Sequence, residues 1–285
     1  MTRTYKATGI NLKSMPLAEA DRLVTVLTPE YGLVRAVAPG ARKHNASLSG
    51  RSEAFAVNRL LLVRGRSLDK IAQAETMATY PGLSGSLGKL AAGQYLAEIV
   101  LQLGLSEQPQ SELYELLNEH LRRIERLSMA EAALSTALLP HLVQGTFHLL
   151  AAAGVAPQVQ ACCWRQVPIT VDPGDADWQV GFSIDAGGLV CLAADGSGTA
   201  AEPQSGVAAP PVPQVDAYLG AEEVARLQRL AGASLTAGDR EASWSQLERL
   251  LRAYTQTHLG RSIRSATLLE TLLATPAARS PQPQA

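Results

Sequence analysis

The chain has 285 residues, of which 46% are hydrophobic and 18% are charged, and its formal net charge is −1. This composition excludes a globally disordered chain, and the length allows one large domain or two to three small ones. The charge is unevenly distributed. Residues 1–80 hold 12 Lys and Arg against six Asp and Glu, a net charge of +6, whereas residues 81–285 hold 13 against 20, a net charge of −7. The asymmetry indicates either an anion-binding N-terminal domain or a plain solvated surface.

Cysteine use and hydropathy indicate the compartment. The three cysteines are odd in number and two of them are adjacent, so the pattern predicts no disulfide framework. The N-terminal sequence MTRTYKATGI lacks the apolar core of a secretory signal. No stretch reaches the roughly 18 uninterrupted apolar residues of a membrane span. We therefore expect a cytoplasmic protein.

Residues 1–80 are predicted to be all β. The predicted strands cover residues 5–13, 22–28, 33–38, 55–64 and 68–77. Met15-Pro16 is expected to open the loop after the first strand, and Pro29-Glu30-Tyr31-Gly32 supplies a turn between the second and the third. Five short strands in about 80 residues fit a Greek-key barrel of the oligonucleotide-binding (OB) type, with a small open sheet as the alternative.

The third predicted strand gives the clearest period of two. If Arg35 faces water, the alternation turns Val34, Ala36 and Ala38 inward. Small inward residues suit a tight, closed barrel. We expect Phe55, at the start of the fourth strand, to fill the barrel interior as well.

The rest of the chain is predicted to be mainly helical. The predicted helices cover residues 87–103, 111–127, 129–153, 221–231, 243–259 and 267–273. Gly104, Gly232 and Gly260 stand where helices should end, Ser111 is a candidate N-cap, and Pro140 should kink or split the third helix.

Composition changes suggest domain boundaries. We predict an OB domain at 1–80, the first part of a helical domain at 81–157, an irregular region at 158–215, the C-terminal helical part at 216–275 and a disordered tail at 276–285. Residues 196–213 are almost all small residues, Pro or Gly, and are predicted to form a flexible loop.

A search for catalytic motifs finds no G-x-S-x-G elbow, no Walker loop and no H-E-x-x-H pair. His141 and His148 lie seven residues apart in an apolar helix, whereas metal-binding helical pairs are usually four apart. We expect these histidines to be hydrogen-bonded or partly exposed. The sequence predicts no catalytic residue and no enzyme.

The spacing of the three cysteines does not match a structural zinc site. A closed structural zinc site needs four ligands, typically two C-x2-C pairs. The residues three positions beyond Cys162 and Cys191 are Arg165 and Ala194, so neither pair is complete. We therefore expect no zinc, and we expect Cys162, Cys163 and Cys191 to be reduced and to act as small hydrophobes. A thiol- or metal-dependent enzyme built on these three residues is an open alternative.

Basic residues accumulate in the predicted barrel: Lys13, Arg22, Arg35, Arg42, Lys43, Arg51, Arg64, Arg66 and Lys70. OB barrels follow a phosphate backbone with such residues and stack bases on aromatic side chains. Aromatic residues are few in this region, so phosphate contacts should dominate and sequence readout should be weak. The alternative hypothesis for this region is a barrel that recognises structured RNA.

The order and spacing of several segments resemble the RecO family of DNA repair and recombination mediators. The segments YKATGINL, LAEADRLVTVLTPEYGLVRAVAPGARK and SGRSEAFAVNRLLLVRGRSLDKIAQAE carry the resemblance over about residues 5–76. LAEIVLQLGLSEQPQSELYELL and LLRAYTQTHLGRSIRS extend it through the helices. The resemblance is weak across residues 158–215.

The resemblance implies an α+β multidomain protein: an OB barrel, then a helical domain with an insertion that looks like a degenerate zinc module. Cys163 or Cys162, together with Cys191, would be remnants of the four ligands. It also implies binding of single- and double-stranded DNA and annealing of complementary strands. With RecR and single-stranded-DNA-binding protein (SSB) as partners, such proteins help to load RecA, which implies association with the nucleoid.

Site residues follow from charge and from the matching barrel. The expected DNA contacts are Lys13, Arg22, Arg35, Arg42, Lys43 and Arg64. Arginines beside apolar helical stripes are candidates for an acidic partner peptide, such as an SSB tail, or are simply solvated: Arg122, Arg123, Arg126, Arg249 and Arg252.

Overall fold

The computed structural model of the protein describes residues 4–127, 131–192, 213–232, 235 and 241–274. They belong to two compact units, Met1–Ala153 with Arg261–Ala285, and Gly154–Gly260. The predicted domain boundaries divide the chain in a different way and stay a prediction. None of the helices in the described part of the chain combines the length and the apolar character needed to cross a bilayer.

A closed barrel begins the first unit. Its strands are β1 (Thr4–Leu17), β2 (Asp21–Thr28), β3 (Gly32–Ala38), β4 (Val57–Val63) and β5 (Asp69–Ala78). They follow the order β1-β2-β3-β5-β4, and β4 pairs with β1 to close the ring. The β3–β5 pair is parallel and the others are antiparallel. The predicted OB-type barrel is confirmed, and the open-sheet alternative is wrong.

Small apolar residues fill the barrel, as the alternation in β3 predicted. Val34, Ala36 and Ala38 are buried, and Arg35 between them is exposed. They pack with Val24 and other buried residues in one cluster. Side chains of this size let five strands close around a narrow interior.

Two local predictions in the barrel are wrong. Met15-Pro16 does not open a loop, because β1 continues to Leu17. β4 pairs with β1 only from Thr4 to Ile10, so the second half of β1 has β2 as its one ladder partner in the barrel. Proline lacks the N–H of a ladder donor and is tolerated at such an edge.

The second error concerns Phe55, which lies before β4 and does not fill the barrel. Its φ is +65°, and it is buried in the cluster formed mainly by the helices. The Phe55 N–H donates to the Asn11 carbonyl at 2.8 Å. Phe55 therefore joins the barrel to the helices.

The helices of the first unit are α1 (Pro81–Ser84), α2 (Leu87–Leu103), α3 (Ser111–Glu125), α4 (Glu131–Ala152) and α7 (Ser265–Ala274). The predicted span of α2 is confirmed. Pro140 does not split α4, which continues through it. Ser111 is the first helical residue rather than the N-cap, a position taken by Gln110. Gly104 ends α2 in an extended conformation, not the left-handed one expected of a C′ glycine.

Gly104 is glycine for a steric reason. A Cβ on Gly104 would lie 2.8 Å from Leu33 Cγ and 2.9 Å from the Val100 carbonyl oxygen. The end of α2 therefore lies directly against the start of β3. Backbone bonds secure this joint, since Leu33 donates to the Leu105 carbonyl at 2.9 Å and Gln110 donates to the Pro29 carbonyl at 2.8 Å.

The second unit contains a small sheet that the sequence did not predict. Its strands β6 (Gln179–Ser183), β7 (Gly188–Val190) and β8 (Ala217–Gly220) follow the order β7-β6-β8. The region predicted to be irregular therefore contains an antiparallel hairpin, whose Phe182 and Leu189 are buried. This short apolar alternation is difficult to recognise in the sequence, because Gly and Asp residues surround it. Most of the predicted flexible loop, residues 196–212, lies outside the described residues, as does the tail 276–285.

The described part of the second unit also contains the helices α5 (Ala221–Arg229) and α6 (Glu241–Leu259). Gly260 follows α6 with a φ of +65°, so the predicted glycine stop is confirmed there.

Candidate nucleic-acid interface

The outer surface of the first three strands carries two of the predicted DNA-binding cations in one row. In the ladder, Lys13 of β1 pairs with Thr25 of β2, and Thr25 pairs with Arg35 of β3. Lys13 and Arg35 are exposed. Because neighbouring strands are about 4.8 Å apart, the backbones of the two cations are roughly 10 Å apart across β2. The ladder therefore places both positive charges on one face.

A second row on the same surface is apolar. Met15 pairs with Leu23, Leu23 pairs with Val37, and Val37 pairs with Lys70 of β5. Met15 is 40% exposed and Lys70 is exposed, whereas Leu23 and Val37 are half-buried. The row thus forms an apolar strip that ends at a third cation. We call these two rows the β1–β2–β3 face: Lys13, Thr25, Arg35, Met15, Leu23, Val37 and Lys70.

This combination has a defined chemical use. Exposed cations neutralise phosphates, and an adjacent apolar strip offers a contact for the flat faces of bases or for sugars. In OB barrels the surface of strands 2 and 3 is the usual oligonucleotide-binding surface.

Arg42 and Lys43 lie just beyond one end of this face, next to the β1–β2 turn. The Arg42 side chain donates to the Ala18 carbonyl at 2.9 Å, and its backbone N–H donates to the Ala20 carbonyl at 2.9 Å. Both basic residues are exposed. The Asp21 carboxylate lies near them and accepts the Gly40 N–H at 2.7 Å.

Arg22 is placed differently from Lys13 and Arg35. It alternates with the buried Val24, so it shares the inward parity of β2. Its guanidinium pairs with the Glu53 carboxylate at 3.0 Å and donates to Ser14 Oγ at 3.2 Å. Much of its positive charge is therefore balanced by Glu53, which lies between β3 and β4.

Arg64 belongs to a third environment, beside an aromatic pair. Its guanidinium lies 5.2 Å from the centre of the Tyr5 ring, which contacts Tyr31 edge to face at 4.9 Å. The Tyr5 hydroxyl donates to the Asp69 carboxylate. Burial, followed by this hydrogen bond, raises the pKa of Tyr5. Arg64 is exposed, but an acidic group lies close to it.

Two basic residues that were not selected from the sequence lie on the other side of β1. Lys6 pairs with Leu61, and Thr8 pairs with Arg59 of β4. Both cations line a groove of about 600 Å³ with Arg51. Arg59 forms an exposed ion pair with Glu75 at 3.0 Å. The same period-two alternation that marks Arg35 would have identified Arg59 as outward-facing.

The apolar strip was also missed. The sequence predicts a loop at Met15-Pro16, so it gives no sign that Met15 lies opposite Leu23 in the ladder.

The three arginines of α3 that were predicted to bind a partner have distinct surroundings. Arg122 is exposed and lines a crevice of about 280 Å³ with Tyr114, Asn118 and other residues. Arg123 is half-buried and tied down, because it donates to Glu119 at 2.8 Å and to Gln144 of α4 at 2.9 Å. Arg126 is exposed at the C-cap of α3.

The other two partner-binding candidates lie on α6, in the second unit. Arg249 is exposed and donates to the Ser245 carbonyl at 3.3 Å. Arg252 is half-buried and pairs with the Glu248 carboxylate at 3.4 Å. The structure therefore gives the five arginines separate settings in two units.

The histidine prediction is confirmed for His148, whose Nδ1 lies 3.0 Å from Nε2 of the buried His120. His141 is half-buried on the same helix. Among the described residues, no three His, Cys, Asp or Glu side chains come together in a way that could hold a metal ion.

The described cysteine region does not provide the four ligands of the zinc module found in the family that the sequence resembles. Cys162 and Cys191 lie together, because the Cys191 N–H donates to Cys162 Sγ at 3.1 Å. Arg165 stands three residues after Cys162, where a C-x2-C pair would have its second cysteine. Its guanidinium lies 4.9 Å from the centre of the Trp164 ring. A cationic side chain is not a zinc ligand and repels the ion. Ala194 lies outside the described residues. The expectation of no zinc stays a prediction.

The architecture defines the class of protein: a five-stranded barrel of the OB type followed by a helical region. Two family models divide the chain in the same order. "Recombination protein O N terminal" matches residues 1–80, and "Recombination protein O C terminal" matches residues 84–267. The chain therefore belongs to the RecO family.

Curated relatives agree with this assignment over nearly the whole chain. The chain is 52% identical to the DNA repair protein RecO of Nostoc punctiforme, covering 96% of this chain and 98% of the relative. It is 52% identical to the protein of that name from Gloeothece citriformis, covering 95% and 98%. For the one from Gloeobacter violaceus the identity is 46%, covering 98% and 99%.

Proposed function

We propose that this chain is a DNA repair and recombination mediator that binds single- and double-stranded DNA and anneals complementary strands. With RecR as partner, it assists the loading of RecA onto DNA coated by SSB. The observation that carries the proposal is the β1–β2–β3 face, where Lys13 and Arg35 flank Thr25 beside an apolar strip. The names of the curated relatives support the repair role.

The proposed mechanism needs no bond making, so the chain acts as a binding protein and not as an enzyme. Two DNA strands repel each other through their phosphates. A surface that neutralises phosphates on both strands lowers this repulsion and increases the rate of pairing. The apolar strip at Met15, Leu23 and Val37 would receive unpaired bases without reading their sequence.

The partner-binding part of the proposal assigns acidic peptides, such as an SSB tail, to exposed arginines of α3. Arg122 lines an open crevice and Arg126 is exposed at the helix end. Arg123 is a weaker candidate, since Glu119 and Gln144 already engage its guanidinium. Arg249 and Arg252 on α6 stay predictions.

The test is a charge reversal on the face with a matched reversal elsewhere on the barrel. Lys13→Glu with Arg35→Glu should weaken binding of single-stranded DNA by about tenfold or more, because two phosphate contacts become repulsive. The slope of log affinity against log salt should become shallower by roughly 1.4. Fluorescence anisotropy at several salt concentrations measures both quantities.

Lys6→Glu with Arg59→Glu is the control, because it changes the net charge equally on the β1–β4 side. Equal losses from both double variants would refute a specific face and leave only a general charge effect. A competitor RNA that displaces DNA of equal length would favour the RNA-binding alternative. Annealing of SSB-coated strands by the same variants tests the mediator role separately from plain binding.

A further inference from the structure

Two cysteines that lie 29 positions apart in the sequence meet in the second unit. Cys162 is fully buried, and its Sγ accepts the N–H of Arg165 at 3.3 Å and the N–H of Cys191 at 3.1 Å. Cys191 is half-buried. None of the three cysteines is in a disulfide. One thiol is therefore enclosed by donors, and the thiol beside it is partly open to solvent.

Backbone hydrogen bonds hold the two segments together independently of the sulfur atoms. The Cys163 N–H donates to the Leu189 carbonyl at 2.7 Å, and the Leu189 N–H donates to the Gln158 carbonyl at 2.9 Å. Gln158 in turn donates to the Gly187 carbonyl at 2.8 Å. The segment containing Cys162 is thus fastened along β7, at whose end Cys191 lies.

The pKa values of the two thiols are shifted in opposite directions. Burial alone would raise the pKa of Cys162, but the backbone N–H groups of Cys191 and Arg165 outweigh it, and the pKa is lowered. Burial, followed by the hydrogen bond to Cys162, raises the pKa of Cys191 to about 11. The two shifts make Cys162 the more acidic thiol of the pair.

We propose that Cys162 and Cys191 form an oxidation site that closes to an intramolecular disulfide by exchange with a low-molecular-weight disulfide. Cys191 is the entry thiol, because Cys191 is half-buried whereas Cys162 is fully buried. Cys162 is the resolving nucleophile, because its buried sulfur is held beside Cys191 by two N–H groups that donate to it.

The chemistry balances in two exchange steps. Cys191 Sγ loses its proton to solvent and attacks one sulfur of the small disulfide, which releases one small thiolate and leaves a mixed disulfide. Cys162 Sγ then loses its proton to solvent and attacks Cys191 Sγ, which forms the protein S–S bond and expels the second small thiolate; the two small thiolates take up the two protons. The two cysteines are oxidised by two electrons, and the small disulfide is reduced to two thiols.

The test uses the full-length protein in buffers with graded ratios of oxidised to reduced glutathione. Intact-mass spectrometry should show a loss of two hydrogens with no retained glutathione, and peptide mapping should link the peptides that contain residues 162 and 191. The variant Cys163→Ser is the matched control and should keep this link. This control also distinguishes a bond to Cys162 from a bond to Cys163, which a peptide map alone does not distinguish because the two cysteines are adjacent.

Single variants test the order of the steps. Cys162→Ser should trap one glutathione on Cys191, because the resolving thiol is gone. Cys191→Ser should take up no glutathione at Cys162, whose sulfur is buried. A stable mixed disulfide in the unmodified chain, a bond between Cys162 and Cys163, or a crosslink between two chains would each overturn the proposal.

Discussion

Two buried polar side chains in the helical part of the first unit, Lys89 and His120, each have specific partners. Lys89 is 2% exposed, and its Nζ donates to the carbonyls of Glu125 at 2.8 Å and Leu127 at 2.7 Å. These carbonyls lie at the C-terminal end of α3, where helical C=O groups have no partner within the helix. The lysine therefore satisfies them and places a positive charge at the negative end of the helix dipole.

His120 is the second such residue, and it makes stability depend on pH. Burial, followed by the charges of His148, Arg123 and His141, lowers its pKa from 6.5 to about 3. Between these two values the unfolded chain binds a proton that the folded chain does not bind. The free energy of unfolding therefore decreases as the pH falls from about 6.5 towards 3.

The variant His120→Gln should weaken this dependence. Between pH 7 and pH 5, the unmodified chain should lose on the order of 2 kcal/mol more stability than the variant, since the variant has no group to protonate at this position. Urea unfolding at each pH gives both values. His44→Gln, which changes an exposed histidine of a barrel loop, is the control. Parallel curves for the unmodified chain and His120→Gln would contradict the assignment.

Between elements, the most restrictive contact is the β2–β3 turn against the segment after α2. Gly32 has a φ of +63°, and a Cβ there would lie 2.0 Å from the Leu105 carbonyl oxygen. The Glu107 N–H donates to the Tyr31 carbonyl at 2.9 Å across the same contact. The turn thus serves two purposes, because it reverses the chain and lets the barrel approach the helices at backbone distance.

Gly32→Ala should therefore destabilise the first unit much more than Gly40→Ala. Both glycines have the same left-handed backbone, but a Cβ on Gly40 meets only Lys43 Cδ at 3.7 Å. Gly40→Ala isolates the conformational strain, about 1 kcal/mol, and Gly32→Ala should cost at least about 2 kcal/mol more through the clash. Thermal and urea unfolding measure the difference. If the two losses are equal, the close backbone approach at Gly32 does not exist in solution.

At the scale of the whole molecule, the described residues of the second unit bring together no three side chains that could hold a metal ion. Its core instead contains an apolar hairpin and helix contacts, with Phe182 against Tyr254 at a ring distance of 6.0 Å and Tyr254 donating to the Val155 carbonyl at 3.1 Å. Structural zinc contributes folding energy directly where four ligands are present. Here two thiols meet beside an arginine.

We therefore predict that chelation leaves the protein folded. Incubation with EDTA should change the thermal midpoint by no more than about 1 °C, because no metal-linked folding energy is removed. Elemental analysis of the purified protein should find far less than one zinc per chain. Added zinc after chelation is the control. Stoichiometric zinc, or a large fall in the midpoint that zinc reverses, would show a ligand set outside these two thiols.

The sequence by itself determined the features that depend on local pattern. The alternation around Arg35 specified the inward face of β3, and the apolar stripe and Gly104 specified the length of α2. The distinctive N-terminal order of residues was enough to indicate the family. Such features are encoded within a few turns or strand residues, because side-chain direction repeats with a fixed period in helices and strands.

The tertiary structure decided which residues come into contact, because contacts between distant segments produce no periodic pattern in the sequence. In the sequence, Arg22 is equivalent to Lys13 and Arg35 as a candidate DNA contact. The structure distinguishes it, because Arg22 pairs with Glu53 whereas Lys13 and Arg35 lie in one row on the outer face. Met15 became part of a strand only because β2 pairs with it. The two cysteine segments, 29 residues apart, became neighbours only when β7 aligned beside residue 158.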